Sequence, residues 1–223
     1  MTDAEGGYYS VDFKLPKELK PLLEADRLIV NQAPIPKRVG RYNVLNHYEV
    51  LANSPSRNWE FVIKFEEESS FRCRLFCSNY RPFIMRGVTE FETIMMLRRP
   101  LRCPANFCYC CPYELRVEAP PGTHFGSIVQ APACLANRFY LKDDTGQAKL
   151  KIEGPWFARH CCLDMYFKIY SMTGGRSIGR IVRQWRDGHD TFHLAFPRDL
   201  HVHMKTLLMT STILIDFIYF GSH

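Results

Sequence analysis

Three things are missing from this chain of 223 residues. No run reaches the roughly 20 predominantly apolar residues that a membrane-spanning helix needs. The longest, MKTLLMTSTILIDFIYF from Met204 to Phe220, is shorter and carries Lys205 and Asp216. There is no phosphate loop, no H-E-x-x-H helix and no catalytic Cys with a fixed base, so an enzyme that makes and breaks covalent bonds is not expected. The polar opening MTDAEGGYY lacks a secretory-leader pattern, which points to the reducing, cytosolic side of a membrane.

Apolar residues make up 46% and charged residues 23%, an ordinary globular balance with enough chain for one sizeable core. The aromatic share of 13% leans towards β-structure. A net charge of +6 and a pI near 8.8 favour anionic partners. Lys and Arg are scattered, however, rather than gathered in the dense basic stripe of a nucleic-acid reader. Nine cysteines, an odd number, include the adjacent pairs Cys110-Cys111 and Cys161-Cys162. In a reducing compartment they are structural thiols, metal ligands or acylation sites.

After a polar segment over 1–18, the spacing predicts a short amphipathic helix from Lys17 to Arg27 leading into Leu28-Ile29-Val30, and a single domain over 19–223. Short alternating stretches then dominate. Strands are expected at Tyr48 to Leu51, Trp59 to Phe65, Phe83 to Val88, Glu92 to Leu97 and Glu114 to Glu118, then at Gly126 to Gln130, Arg138 to Leu141, Ala148 to Ile152, Met165 to Tyr170 and Ser177 to Arg183. Turn signals at Pro120-Pro121-Gly122, Asp143-Asp144-Thr145-Gly146 and Gly174-Gly175 make these successive hairpins. An internal repeat supports a closed barrel: RPFIMRGVTEFETIMMLRRP and CCPYELRVEAPPGTHFGSIVQ are echoed about 53 residues on by NRFYLKDDTGQAKLKIEGP and CCLDMYFKIYSMTGGRSIGRIVRQ. Pro100 answers Pro155, Cys110-Cys111 answers Cys161-Cys162, and Gly126 answers Gly179. The apolar tail over 204–220 reads as a helix, either buried in the core or inserted in a membrane, and its length and Asp216 favour the core.

In order, RPLRC at Arg99 to Cys103, EAPPG at Glu118 to Gly122, the D-x-F-x-L-x-F-P-x-D-L segment from Asp190 to Leu200 and LIDFIYF at Leu214 to Phe220 resemble the phospholipid scramblase family, from about Leu19 to Phe220. The resemblance implies a mainly β, tubby-like closed barrel of about twelve strands enclosing the hydrophobic C-terminal helix, with Ile213, Leu214, Ile215, Phe217, Ile218 and Phe220 in the core or in a membrane. It implies ATP-independent, bidirectional movement of phospholipid between leaflets. The partners are then membrane phospholipids, anionic ones foremost, and a second copy of the chain. The location is the cytosolic face of the plasma membrane, or alternatively the nucleus. Missing proline-rich motifs predict no SH3 or WW partner.

Family resemblance also assigns thioester-linked palmitate to Cys108, Cys110 and Cys111. A zinc site at Cys110, Cys111, Cys161 and Cys162 competes, but adjacent thiols are awkward ligands for one ion. The family's calcium segment survives only as Asp190 and Asp199, with Gly188 and His201 standing where acids are usual and His193 where Gly is. Calcium dependence is expected to be weakened, because the ion wants six to eight oxygen ligands. The histidines at 189, 193, 201 and 203 are surface side chains or a pH- or metal-sensitive set, with His201 and His203 on one face of a strand. Arg180, Arg183, Trp185 and Arg186 match a nuclear-import-like basic stretch, or else form an ordinary exposed strand. If Arg180, Arg183 and Arg186 instead face a polyanion, the chain is a phosphoinositide- or nucleic-acid-binding adaptor.

Overall fold

Alternation is the local signal from which the fold is built. The strand β2 (His47–Asn53) buries Tyr48, Val50 and Ala52 and turns His47, Glu49 and Leu51 outward, as a strand with one covered face must. The computed structural model describes residues 16–33, 45–54, 58–77, 81–90, 92–101, 112–131, 137–155, 164–186 and 188–220. Besides β2, the strands are β1 (Arg27–Gln32), β3 (Trp59–Glu68), β4 (Phe83–Val88), β5 (Thr93–Arg99), β6 (Glu114–Glu118), β7 (His124–Gln130), β8 (Arg138–Lys142), β9 (Ala148–Glu153), β10 (Met165–Ser171), β11 (Ser177–Arg186) and β12 (His189–Ala195). The helices are α1 (Pro21–Glu24), α2 (Phe71–Cys77) and α3 (Val202–Tyr219).

Every strand pairs antiparallel with its sequence neighbours, and β1 closes onto β12 from Arg27–Ala195 to Asn31–Thr191, so the twelve strands form a closed barrel. Closure leaves no sheet edge. The two sequence repeats map onto consecutive strand quartets, β4 to β7 and β8 to β11.

Two expectations need correction. The helix expected over Lys17 to Arg27 is broken into a 3₁₀ turn (Lys17–Leu19) and α1, because Pro21 can only begin a helix and Ala25 is already extended. The stretch read as a calcium segment is largely β12: Asp190, Phe192 and Leu194 point inward in strict alternation.

Inside the barrel lies α3. Every residue from His203 to Phe217 is buried, which only a helix surrounded by protein can be. Its hydroxyls are satisfied within the helix: Thr206 donates to the Val202 carbonyl, Ser211 to Leu208 and Thr212 to Met209. The wall makes room for it at Gly126, where a Cβ would sit 3.0 Å from Leu207 Cδ1 and 2.6 Å from the Lys142 carbonyl oxygen. The outer wall is laced by ion pairs such as Arg86–Glu68, Arg98–Glu118 and Arg138–Glu153, the reverse of a lipid-facing barrel with its outward apolar band.

Strict antiparallel order gives the barrel two unlike ends. At one, which we call the turn end, the five connections 54–58, 89–92, 119–123, 143–147 and 172–176 hold four or five residues each, and α3 begins there. At the other, the connection end, the links 33–46, 69–82, 100–113, 131–137 and 154–164 are longer, and a sixth, 187–188, holds two residues. There α3 finishes.

Candidate functional site

Beneath the connection end the barrel interior is polar. Asp216, one turn before the end of α3, accepts hydrogen bonds from the Tyr48 hydroxyl at 2.5 Å and the Gln32 amide at 3.3 Å. Arg183 of β11 pairs with Asp190 of β12, both essentially inaccessible to solvent. Arg81 holds Glu67 through two nitrogens, at 2.7 and 2.9 Å. The three guanidiniums of Arg81, Arg99 and Arg183 lie over the aromatic end of α3: Arg81 is 4.7 Å and Arg99 5.8 Å from the Phe217 ring, and Arg183 is 4.2 Å from that of Phe220. Cations at a helix C-terminus also meet the negative end of its dipole.

Electrostatics follow from that packing. Burial, and then the charge of Asp190, push the Asp216 carboxyl up to about 8, so at neutral pH it keeps its proton. Burial and the Asp216 carboxyl raise the Tyr48 phenol well above its usual range. Burial would raise Glu67 too, but the hydrogen bond and charge of Arg81 outweigh it and hold the carboxylate low. This layer is a fixed plug, carrying charge without offering it to solvent.

The links that join the strands at this end differ in composition. All nine cysteines, at 73, 77, 103, 108, 110, 111, 134, 161 and 162, fall within the links 69–82, 100–113, 131–137 and 154–164. Cys73 and Cys77 are free, half-buried thiols on α2. The expected acylation sites Cys108, Cys110 and Cys111, and the zinc alternative that adds Cys161 and Cys162, lie outside the described residues.

A calcium site built from Asp190 and Asp199 does not fit the residues present. Asp190 and Asp199 are not brought together, since Asp190 opens β12 at the connection end and Asp199 follows it at the turn end, separated by roughly 17 Å of strand. Asp190 is moreover taken by Arg183. Among the described residues no three His, Cys, Asp or Glu side chains are grouped to hold an ion.

In the basic stretch, Arg180 and Arg186 are exposed and Trp185 is half-buried, but Arg183 faces the interior. A polyanion therefore meets two of those three arginines. His201 and His203 do not share a strand. His201 caps α3, its Nδ1 accepting from the His203 amide at 3.3 Å, while His203 stacks on Phe125 with centroids 3.9 Å apart. Burial lowers the pKa of His193, His201 and His203 alike. Ile213, Leu214, Ile215, Phe217 and Phe220 are buried inside the barrel and Ile218 partly so. No helix among the described residues is long and apolar enough to cross a membrane.

Residues Gly175 to Gly179 read G-R-S-I-G, the spacing of a nucleophile elbow, which the expectation of no catalytic motif passes over. That pattern needs a strand-to-helix turn. Here Ser177 instead opens β11 out of a hairpin, its hydroxyl 3.1 Å from the Ile169 carbonyl and 2.8 Å from that of Gly179. Sequence reading missed α2 and the polar layer; the run Phe71-Arg72-Cys73-Arg74-Leu75-Phe76-Cys77, dense in apolar side chains between two strands, was the available signal for the helix.

The profile of the Scramblase family matches residues 7–222. Over 217 residues the chain is 30% identical to phospholipid scramblase 1 of Homo sapiens, covering 93% of this chain and 67% of that protein. It is 31% identical to phospholipid scramblase 1 of Rattus norvegicus, covering 92% and 63%, and 30% identical to phospholipid scramblase 2 of Homo sapiens, covering 92% and 71%. The chain thus spans about two thirds of the length of these curated relatives. The X-ray structure of a protein from Arabidopsis thaliana superposes with a TM-score of 0.45 at 11% identity, over 89% of this chain and 96% of that one.

Proposed function

The chain belongs to the scramblase family, and from that premise we propose that it promotes ATP-independent, bidirectional movement of phospholipid between membrane leaflets, from the cytosolic face of the plasma membrane. The observation that carries this reading is the gathering of every cysteine into links that leave the barrel at one end. Acyl chains on Cys108, Cys110 and Cys111 would then hold that end against the bilayer, each buried methylene contributing about 0.8 kcal/mol and two chains sufficing for firm anchoring. The net charge of +6 supports a preference for anionic lipid.

Moving a headgroup between leaflets breaks no bond; it lowers the cost of taking a polar group through hydrocarbon. With α3 enclosed by its own barrel, this is achieved from the membrane surface by disturbing lipid packing, and a second copy of the chain widens the disturbed area. Calcium held by Asp190 and Asp199 has no part in the proposal.

Reconstituted vesicles with fluorescent lipid test it. Lipid movement above protein-free vesicles, unchanged by calcium chelation, is expected; movement equal to protein-free vesicles rejects the function. In cells, hydroxylamine-releasable palmitate should fall when Cys108, Cys110 and Cys111 are changed to Ala, and unchanged labelling rejects the anchor.

A further inference from the structure

The helix α2 buries none of its residues. Phe71 is 50% exposed, Leu75 39% and Phe76 81%. Seven residues are far too few for an isolated helix to be stable in water, and no apolar face holds this one to the core. Large apolar side chains scattered singly over a surface are ordinary; three of them exposed together on one short helix, with the Arg74 guanidinium 6.0 Å from the Phe71 ring, are not. Of the other exposed apolar residues, Leu23, Met172 and the pair Trp59 and Phe61 on β3 lie at the turn end, and Tyr166 stands at the start of β10.

What fixes α2 is its base. Ser70 caps it, its Oγ accepting from the Cys73 amide at 3.2 Å. Arg74 donates back to the Ser69 carbonyl. Ser69 in turn donates to the Glu67 carboxylate at 2.6 Å, and Glu67 is locked by Arg81 in the buried polar layer. The helix is thus held firmly at its root and presents an apolar outer half, with Arg72 among the apolar side chains. Arg81 is taken by Glu67 and Arg74 turns back to Ser69, so the cation among the apolar side chains is the exposed Arg72, and Glu68 at the root is paired with Arg86. An apolar surface carrying one such cation matches the junction between acyl chains and anionic headgroups, where an Arg stem lies along hydrocarbon while its head reaches phosphate.

We infer that α2 inserts Phe71, Leu75 and Phe76 into the bilayer as an interfacial helix, with Arg72 at the phosphate level. This rests on the reading above that the connection end faces the membrane, and it gives that end a grip that needs no acylation. Leu101, 63% exposed where β5 leaves the barrel at the same end, adds to the apolar surface.

Full-length protein stripped of acyl groups by hydroxylamine, floated with vesicles of phosphatidylcholine and phosphatidylserine, tests the inference. The variant Phe71→Ser/Leu75→Ser/Phe76→Ser should lose about 100-fold in vesicle affinity with an unchanged melting temperature. Leu23→Ser/Trp59→Ser/Phe61→Ser, at the turn end, should bind as the wild type does. Equal binding by the α2 variant and the wild type, or an equal loss in the turn-end variant, overturns the insertion. Replacing phosphatidylserine by phosphatidylcholine should weaken the wild type, and Arg72→Gln should weaken it on the mixed vesicles; no change in either overturns the role of Arg72. Lipid movement is scored separately: wild-type protein that grips vesicles through α2 but moves no lipid refutes the proposed function and leaves the insertion standing.

Discussion

At the turn end, Lys205 drives its ammonium into the carbonyls of Leu22, Leu23, Ala25 and Arg198, at 2.7 to 3.0 Å, and five hairpins reverse within four or five residues. Gly122 and Gly146 take the left-handed conformation that such turns require, and the Asp143 carboxylate accepts from Thr145 and Gln147 to hold its own hairpin. At the connection end the order of things is inverted. Polar and charged side chains lie inside, joined side chain to side chain in Tyr48–Asp216, Arg81–Glu67 and Arg183–Asp190, while apolar side chains stand outside on α2. One end is thus closed by backbone carbonyls and turn chemistry, the other from within by paired polar side chains.

The largest effect that would break this contrast lies in the polar layer. Arg183→Met should leave the buried Asp190 without its partner and cost about 3–5 kcal/mol in urea unfolding; a loss below 1 kcal/mol would mean that the layer does not hold the connection end together. At the turn end, Lys205→Met orphans four carbonyls and should cost about 3 kcal/mol, a smaller loss because water reaches part of that seat. A third test uses pH. Asp216 holds its proton in the folded barrel up to about 8 but releases it near the ordinary carboxylate value when unfolded. Its contribution to stability is therefore complete below about pH 4 and is lost as the pH climbs to about 8. Asp216→Asn should flatten that decline and raise stability at pH 8 by about 1 kcal/mol or more, read from melting curves across the range; a decline as steep as the wild type's would exclude Asp216 as its source. Smallest of all, Arg98→Ala removes an exposed pair with Glu118 midway between the ends and should change stability by about 1 kcal/mol or less.

Legibility in the sequence followed the range of the interactions. Phe83 to Val88 and Glu114 to Glu118 were read to the residue, because period-two alternation and flanking turn residues decide them locally. The strand β12 was missed although Asp187-Gly188, a strong hairpin signal, stands directly ahead of it and Asp190, Phe192 and Leu194 alternate cleanly, because its acids and histidines read as a binding loop. The helix α2 escaped notice since it has no core-facing stripe to betray it. Of the residues singled out for a site, Arg183 and Asp190 were chosen for their charge and are found spending it on each other. Nothing in the chain order says that the two strands bearing them put these side chains face to face inside the wall.

By itself, then, the sequence determined the hairpins, their turns, the all-round apolar helix and the family, because each depends on patterns within a few residues or on motif order along the chain. Tertiary structure decided which way the charges point, that α3 lies inside the barrel, and that all nine cysteines belong to links at one end. Those outcomes depend on closure: only when β1 meets β12 do inside and outside exist, and only strict antiparallel order sends alternate links to the same end.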